Sequence, residues 1–250
     1  MSERHLEGQH VIVTGAGRGL GRAMAEACAA SGAIVTAVAR SAAQLDETVE
    51  RITAAGGRAQ YAVLDVTDRE KLGAWVAETH ESLPIHGVVH AAGVQARHDA
   101  VDFPLDEFER VLAVNLVAPF HLTRDIARLQ QRNRIKGSHV FIGSLGSSIG
   151  LPRVAAYCAS KAGTMGLVRT LAAEWASQGI RVNSINPGYF VTELTRDLVA
   201  HDEARLLSRI PMGRLGVPED VGGAAVFLLS GQSAYITGQL INVDGGWLAS

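Results

Sequence analysis

Short runs of β-branched and apolar residues alternate with stretches of helical period along the whole chain. Residues 10–14 (HVIVT), 33–39 (AIVTAVA), 59–64 (AQYAVL), 86–90 (HGVVH), 139–142 (HVFI), 180–185 (IRVNSI) and 240–243 (LINV) read as strands. Most are apolar at consecutive positions, as strands covered on both faces should be. In residues 21–31, 45–55, 69–81, 105–131 and 156–178 the apolar positions recur every three or four, which predicts helices. Seven strands separated by helices predict an α/β fold, a doubly wound, seven-stranded parallel sheet with helices on both faces. No Pro/Gly/Ser-rich linker, low-complexity tract or repeat interrupts the alternation, so residues 1–250 are expected to form one domain.

Charge narrows the range of partners. Lys+Arg 23 against Asp+Glu 25 leaves a net charge of -2, without the basic excess that grips a phosphate backbone or an anionic membrane. Neither nucleic acid nor membrane is expected as a partner. The opening MSERHLEGQH carries both signs of charge and lacks the apolar run of a secretion signal. The longest uncharged stretch, residues 221–243, is broken by Gly222, Gly223, Gly231, Gln232, Ser233 and Gly238, too polar to span a bilayer. Cys28 and Cys158 are too few for a disulfide scaffold or a zinc cluster. A reduced, cytoplasmic protein is the expectation, and no metal centre is expected.

Chemistry concentrates at strand ends. The first strand runs into Thr14-Gly15-Ala16-Gly17-Arg18-Gly19-Leu20-Gly21 and then a helix. The spacing G-x-x-x-G-x-G on Gly15, Gly19 and Gly21 departs from strict G-x-G-x-x-G, but the physics is shared. Glycines permit a tight turn and close approach of backbone to a pyrophosphate, which then sits at the positive end of the helix. Strand, turn and helix together indicate a Rossmann-type dinucleotide site. An NAD site places a carboxylate about 20 residues further on, against the ribose 2′-hydroxyl. Here the second strand ends Val38-Ala39-Arg40-Ser41, with no acid before Asp46. Arg40 and Arg18 suit a 2′-phosphate instead, so NADP(H) is favoured and NAD(H) is the alternative.

Ser144 closes the fifth strand, and thirteen residues later comes Tyr157-Cys158-Ala159-Ser160-Lys161. Tyr157 and Lys161, four apart on a predicted helix, share a face. A phenol titrates near ~10, and an adjacent ammonium is expected to lower that value and make Tyr157 a usable acid and base. Ser144 lies outside any G-x-S-x-G elbow, which disfavours a hydrolase triad. What remains is reversible hydride transfer between an alcohol carbon and a nicotinamide.

These motifs in this order resemble the short-chain dehydrogenases/reductases over essentially the whole chain. The matching pieces are TGAGRGLG at residues 14–21, Asp65-Val66, His90-Ala91-Ala92-Gly93, Asn115, Ser144, Tyr157-x-x-x-Lys161, Pro187-Gly188 with Thr192, and Val243-Asp244-Gly245-Gly246. The resemblance implies Tyr157 as acid/base, and Lys161 as the group that lowers its pKa and binds the nicotinamide ribose. It further implies Ser144 on the substrate oxygen and Asn115 in a water-mediated proton relay. Gly15, Gly17, Arg18, Gly19, Leu20, Gly21, Arg40, Asp65, Val66, Ala91, Gly93, Pro187, Gly188 and Thr192 would line the cofactor, Asp65 and Val66 at the adenine and Thr192 at the carboxamide. His90 departs from the family's asparagine, so altered packing with intact catalysis is expected there.

Segments 97–100, 174–176, 187–190, 209–214 and 244–248 are similar to sugar-acid dehydrogenases of the family. Arg97 and Arg153 are candidates to meet a substrate carboxylate. The rival is a 3-oxoacyl-acyl-carrier-protein reductase, with Arg124, Arg128 and Arg132 as a stripe for an acidic carrier. A small-molecule substrate and a homotetramer are the expected partners, the tetramer pairing through residues 105–131 and 156–178.

Overall fold

The computed structural model describes residues 4–192 and 196–249. Its strands are β1 (His10–Thr14), β2 (Ile34–Ala39), β3 (Arg58–Val63), β4 (Gly87–His90), β5 (Gly137–Ile142), β6 (Ile180–Pro187) and β7 (Leu240–Val243). They form one seven-stranded sheet in the order β3-β2-β1-β4-β5-β6-β7, every pairing parallel. The helices are α1 (Gly19–Ala30), α2 (Ala42–Ala54), α3 (Arg69–Ser82), α4 (Leu105–Leu112), α5 (Ala118–Asn133), α6 (Ala155–Trp175), α7 (Arg196–Leu207) and α8 (Gly222–Leu229).

Alternation along β1 shows why the fold has two faces. Val11 and Val13 point into a core with Met24 and Cys28 of α1, Leu45 and Ile52 of α2, and Leu228 of α8. Ile12 points the other way, onto Leu72 and Val76 of α3 and Leu122 and Ile126 of α5. Further along that face, α6 packs Val168, Leu171 and Trp175 against Phe141 and Val182. The central strands are thus apolar at both odd and even positions, the signal that identified them in the sequence, whereas β3 at the sheet edge is exposed or half-buried throughout. The chain leaves β1 toward β2 and β3, then crosses to β4 on the opposite side. That reversal opens a crevice at the carboxyl ends of β1 and β4, where ligands of doubly wound sheets bind.

Two helical expectations are corrected. Residues 105–131 do not form one helix: α4 ends at Leu112, a π-helical turn covers Ala113–Val117, and α5 begins at Ala118. Pro119 in the first turn of α5 has no N–H to continue the α-helical ladder, and the wider turn is where that discontinuity is absorbed. The turn buries Asn115. The helices α7 and α8 were not anticipated. The sequence of α8, GGAAVFLL, packs against α1 and is apolar nearly all round, so it carries no 3.6-residue contrast to read. No helix among the described residues is long and apolar enough to cross a membrane.

Candidate active site

The crevice is a single cleft of about 1300 Å³, larger than the ~300–1,000 Å³ usual for one small molecule. Gly15, Gly17, Arg18, Gly19, Leu20, Gly21, Arg40, Asp65, Val66, Ala91, Gly93, Ser144, Tyr157, Lys161, Pro187, Gly188 and Thr192 all line it, as do Arg97 and Arg153. Asn115 does not. It lies one layer behind, buried, its amide oxygen accepting from Val94 N at 2.8 Å and its amide nitrogen donating to Val94 O and Ser160 Oγ. The π-helical turn thereby anchors the segment after β4 to α6.

The glycine turn is shaped by backbone crowding. At Gly15, φ is +67°, and a Cβ would lie 2.7 Å from the Ala91–Ala92 peptide. At Gly21 a Cβ would lie 2.2 Å from the Gly15 carbonyl oxygen. Neither position admits a side chain. Two residues that motif reading passed over hold the turn from outside. Thr48 donates its hydroxyl to the Ala16 carbonyl at 2.9 Å, and Arg22 donates to the Gly17 carbonyl while pairing with Glu47. Their only sequence signal was a polar side chain facing inward on α1 and on α2. The first turn of α1 has no acidic residue, and Arg18 at its N-cap makes no capping hydrogen bond from its side chain. Its positive end is therefore left to the cleft.

This geometry fits a dinucleotide. A Cβ at Gly93 would meet protein only at ordinary contact distance, Asn115 Oδ1 at 3.5 Å and Lys161 Nζ at 3.9 Å, so the space over Gly93 belongs to the cleft. Thr192 stands opposite Gly19, its Cγ2 4.0 Å from where a Cβ would be. At the β2 end, Ser41 caps α2 by accepting from Gln44 N. Arg40 projects into solvent 4.0 Å from Asp65 Oδ2. Asp65 is held below the usual carboxylate range first by its hydrogen bonds from the Thr67 hydroxyl and N–H, with Arg40 adding a smaller pull.

Ser144 lines the cleft with Tyr157, and its own backbone is locked by a reciprocal turn in which Gly146 N donates to Ser144 Oγ and Ser147 Oγ accepts from Ser144 N. Burial raises the Tyr157 phenol above its usual value; the Ser144 hydroxyl opposes this and Cys158 adds to it. The direction is opposite to that expected from a neighbouring ammonium. Lys161 directs its ammonium to a backbone carbonyl. It is buried, donates to the Ile142 carbonyl at 2.6 Å, and stands 5.6 Å from the centroid of the Tyr157 ring. Burial brings its own pKa down to about 8.

His90, at the end of β4, belongs to a buried chain. Gln130 Nε2 donates to Ile85 O, so Gln130 Oε1 accepts from His139 Nε2. His139 Nδ1 then accepts from the Thr123 hydroxyl, whose oxygen accepts from His90 Nε2 at 2.8 Å. Both imidazoles are neutral: burial lowers His90 well below its usual value and His139 to about 3. His90 also packs on Phe141, ring centroids 4.5 Å apart. The imidazole thus ties β4, β5 and α5 together behind the cleft. His86 and His90 stand four apart, a spacing that would pair imidazoles on a helix. On a strand it separates them, and His86 instead accepts from His10 N. No group of three metal-ligating side chains occurs among the described residues.

The Lys161 ammonium has a consequence for stability. The unfolded chain keeps this proton up to the ordinary lysine value of 10.5, whereas the folded chain releases it at about 8. The unfolded state binds more protons across that window, so stability rises with pH through it, and below it the buried charge is a standing penalty. Lys161→Met is expected to stabilise the fold near pH 7 by roughly 1–2 kcal/mol once the lost Ile142 hydrogen bond is deducted. The increment should fade toward pH 10.5. Chemical denaturation at both ends of the range checks this, and a variant less stable than wild type near neutrality contradicts it.

Comparison with known proteins places this geometry. The family model described as enoyl-(acyl carrier protein) reductase matches residues 15–248. The chain is 39% identical over 246 residues to the galactitol 2-dehydrogenase (L-tagatose-forming) of Cereibacter sphaeroides, covering 97% of this chain and 96% of that one. It is 39% identical over 247 residues to the 2-dehydro-3-deoxy-D-gluconate 5-dehydrogenase of Bacillus subtilis, covering 98% and 96%. With the 3-oxoacyl-[acyl-carrier-protein] reductase of Haemophilus influenzae it shares 35% over 243 residues, covering 96% and 98%. Among solved structures it superposes with TM-score 0.94 and 33% identity on a gluconate 5-dehydrogenase from Burkholderia cenocepacia in complex with NADP and tartrate, covering 99% and 98%. The match runs along nearly the full length of these relatives, and the chain belongs to the short-chain dehydrogenase/reductase family of oxidoreductases.

Proposed function

We propose that the protein interconverts a secondary alcohol and a ketone on a small sugar acid or related hydroxy acid, with NADP(H) as the favoured cofactor. The observation that carries the reading is a cleft lined by Ser144, Tyr157 and Lys161 whose rim is rich in arginine. When bound, the nicotinamide supplies the hydride acceptor or donor at the substrate carbon. Tyr157 Oη takes or returns the hydroxyl proton. Ser144 Oγ orients the substrate oxygen, and the Lys161 ammonium places positive charge under the ring as phenolate character develops. Asn115, through Val94 and Ser160, holds the loop and helix on which these groups stand. Arg153 at the rim is paired with Asp99 at 3.1 Å, so the role of meeting a substrate carboxylate falls first to Arg97. Tyr157→Phe is expected to cut turnover by about 10²–10⁴-fold while cofactor affinity changes little, measured by steady-state rates and nucleotide fluorescence titration. Activity within a few-fold of wild type would refute the mechanism.

A second reading, reduction of oxoacyl thioesters on a carrier protein, has support in the acyl-carrier relatives and the family model's description. The proposed docking stripe weighs against it. Arg124 pairs with Asp125 at 2.8 Å and Arg128 lies 4.0 Å from the same carboxylate, so one of the stripe's three charges is already compensated.

NADP(H) preference rests on Ala39, where no carboxylate repels a 2′-phosphate, and on Arg40 and Arg18 lining that end of the cleft. Asp65 near Arg40 offsets part of the charge, so a several-fold preference is expected rather than a large one. Ala39→Asp combined with Arg40→Ala should reverse the preference in kcat/KM. Wild-type preference for NAD(H) at equal concentration contradicts the assignment.

The protein is proposed to act as a homotetramer. Val101, Leu105 and Val117, around α4 and the π-helical turn, are exposed at 93%, 77% and 44%, apolar surface that a neighbouring copy would cover. Light scattering at micromolar concentration should give the mass of four chains, and a monomer mass contradicts it.

A further inference from the structure

We propose that Arg209, stacked on Trp247 at the mouth of the cleft, forms with Arg97 a carboxylate subsite that selects acidic over neutral polyols. The inference rests on the hydroxy-acid reading above and assigns its specificity to a residue outside the catalytic and cofactor motifs.

The subsite is assembled from three chain segments. Tyr189 follows the Pro187-Gly188 turn after β6, Arg209 follows α7, and Trp247 follows β7. The Arg209 guanidinium carbon lies 4.2 Å from the Trp247 ring centroid, and Trp247 meets Tyr189 edge-on at 4.7 Å. A guanidinium laid on an indole face is desolvated on that side and keeps its in-plane N–H fork for a carboxylate. The platform is rigid. Asp244 accepts from Gly246 N at 2.9 Å and Leu248 N at 3.0 Å, and Met212 N donates to Gly245 O at 3.1 Å. The loop bearing Arg209 is thus bound to the turn bearing Trp247. Trp247 in turn packs with Leu145, the neighbour of Ser144, so the stack adjoins the reacting centre.

Charge pairing singles out these arginines. Around the substrate end of the cleft, Arg153 is paired with Asp99, Arg205 with Asp202 at 2.6 Å, and Arg110 lies 3.8 Å from Glu107. Arg97 and Arg209 have no such carboxylate among the described residues. Both act on one place. Burial raises the Tyr189 phenol; Arg205, Arg209 and Arg97 oppose that rise, and Asp202, the partner of Arg205, adds a smaller push the other way. Positive potential therefore converges on the Tyr189 side of the cleft, beside the apolar surface of Leu145 and Ile149. A compact anion fits there: a carboxylate on the guanidinium fork, with the hydroxylated carbons reaching in toward Ser144 and Tyr157. A neutral alditol has nothing to offer the fork.

The test uses the full chain saturated with NADPH for binding of two probes, tartrate and threitol, which cannot be oxidised without a hydride acceptor, and with NADP⁺ for turnover of D-gluconate and galactitol. Arg209→Gln is expected to weaken tartrate binding and raise the gluconate KM by about tenfold, the low end for a charge-assisted hydrogen bond at a partly exposed site. It should leave kcat within about twofold and change neither threitol binding nor galactitol turnover. Arg209→Lys should retain part of the effect, since charge persists without the stacked fork. Unchanged tartrate affinity and gluconate KM in Arg209→Gln overturn the subsite, as does an equal loss for acidic and neutral ligands. A loss confined to oxoacyl thioesters overturns it too. Tartrate binding that depends on Arg209 in an enzyme that oxidises no sugar acid upholds the subsite and refutes the substrate reading. Gluconate oxidation indifferent to Arg209 does the reverse.

Discussion

The Gly15 backbone lies so close to the Ala91–Ala92 peptide that no side chain fits between them, and the cleft is built outward from that contact. It joins the loops leaving β1 and β4, the two strands between which the sheet reverses its winding. With those loops in contact, the positive end of α1 and the segment Ala91–Gly93 form one continuous floor. Everything that has to be placed over the floor is then referred to it. Asn115 grips Val94 just beyond Gly93, and Ser160 grips Asn115, so α6 is registered against the same loop. Because Tyr157 and Lys161 stand on α6, their position follows from a close approach of backbones two layers away.

Burial sets the electrostatics of the cluster. A phenol and an ammonium are both removed from water, and the removal works against both charged forms, raising the one pKa and lowering the other. The two groups are thereby moved apart in acidity: their ordinary values are 10.0 and 10.5, and burial takes the phenol above the first and the ammonium down to about 8. A carbonyl at Ile142 compensates part of the ammonium's lost hydration. His90 and His139 show the same burial acting without chemistry. Neutral and joined through Thr123, they spend their hydrogen bonds on holding β4, β5 and α5 in place. His90 finds its partners, Thr123 and Phe141, deep in the core.

The rim of the cleft is governed by pairing. Several arginines reach it, and their significance depends on whether a carboxylate is within reach. Arg153 and Arg205 are compensated; Arg97 and Arg209 meet no carboxylate among the described residues. Arg40 is an intermediate case, exposed and at the limit of an ion pair with Asp65. Which guanidinium is available to a ligand is a property of neighbours distant in the chain.

Sequence alone determined the seven strands, because strands buried on both faces must be apolar at consecutive positions, and it determined the chemistry at their ends, because a backbone turn with no room for Cβ admits only glycine. The serine, tyrosine and lysine were legible for a similar reason: four residues on a helix is one turn, whatever the surroundings. Tertiary structure decided the rest. Residues 105–131 keep helical period throughout, yet the ladder breaks at Ala113–Val117, beside Pro119, where Asn115 is buried against Val94. The helix Gly222–Leu229 carries no period because neighbours cover it nearly all round. The direction of the Tyr157 shift depends on how far the phenol is removed from water, which spacing along a helix does not contain. Arg209 acquires its place only when the turns after β6 and β7 bring Tyr189 and Trp247 against it, since desolvation and charge pairing are set by three-dimensional neighbours rather than by position in the chain.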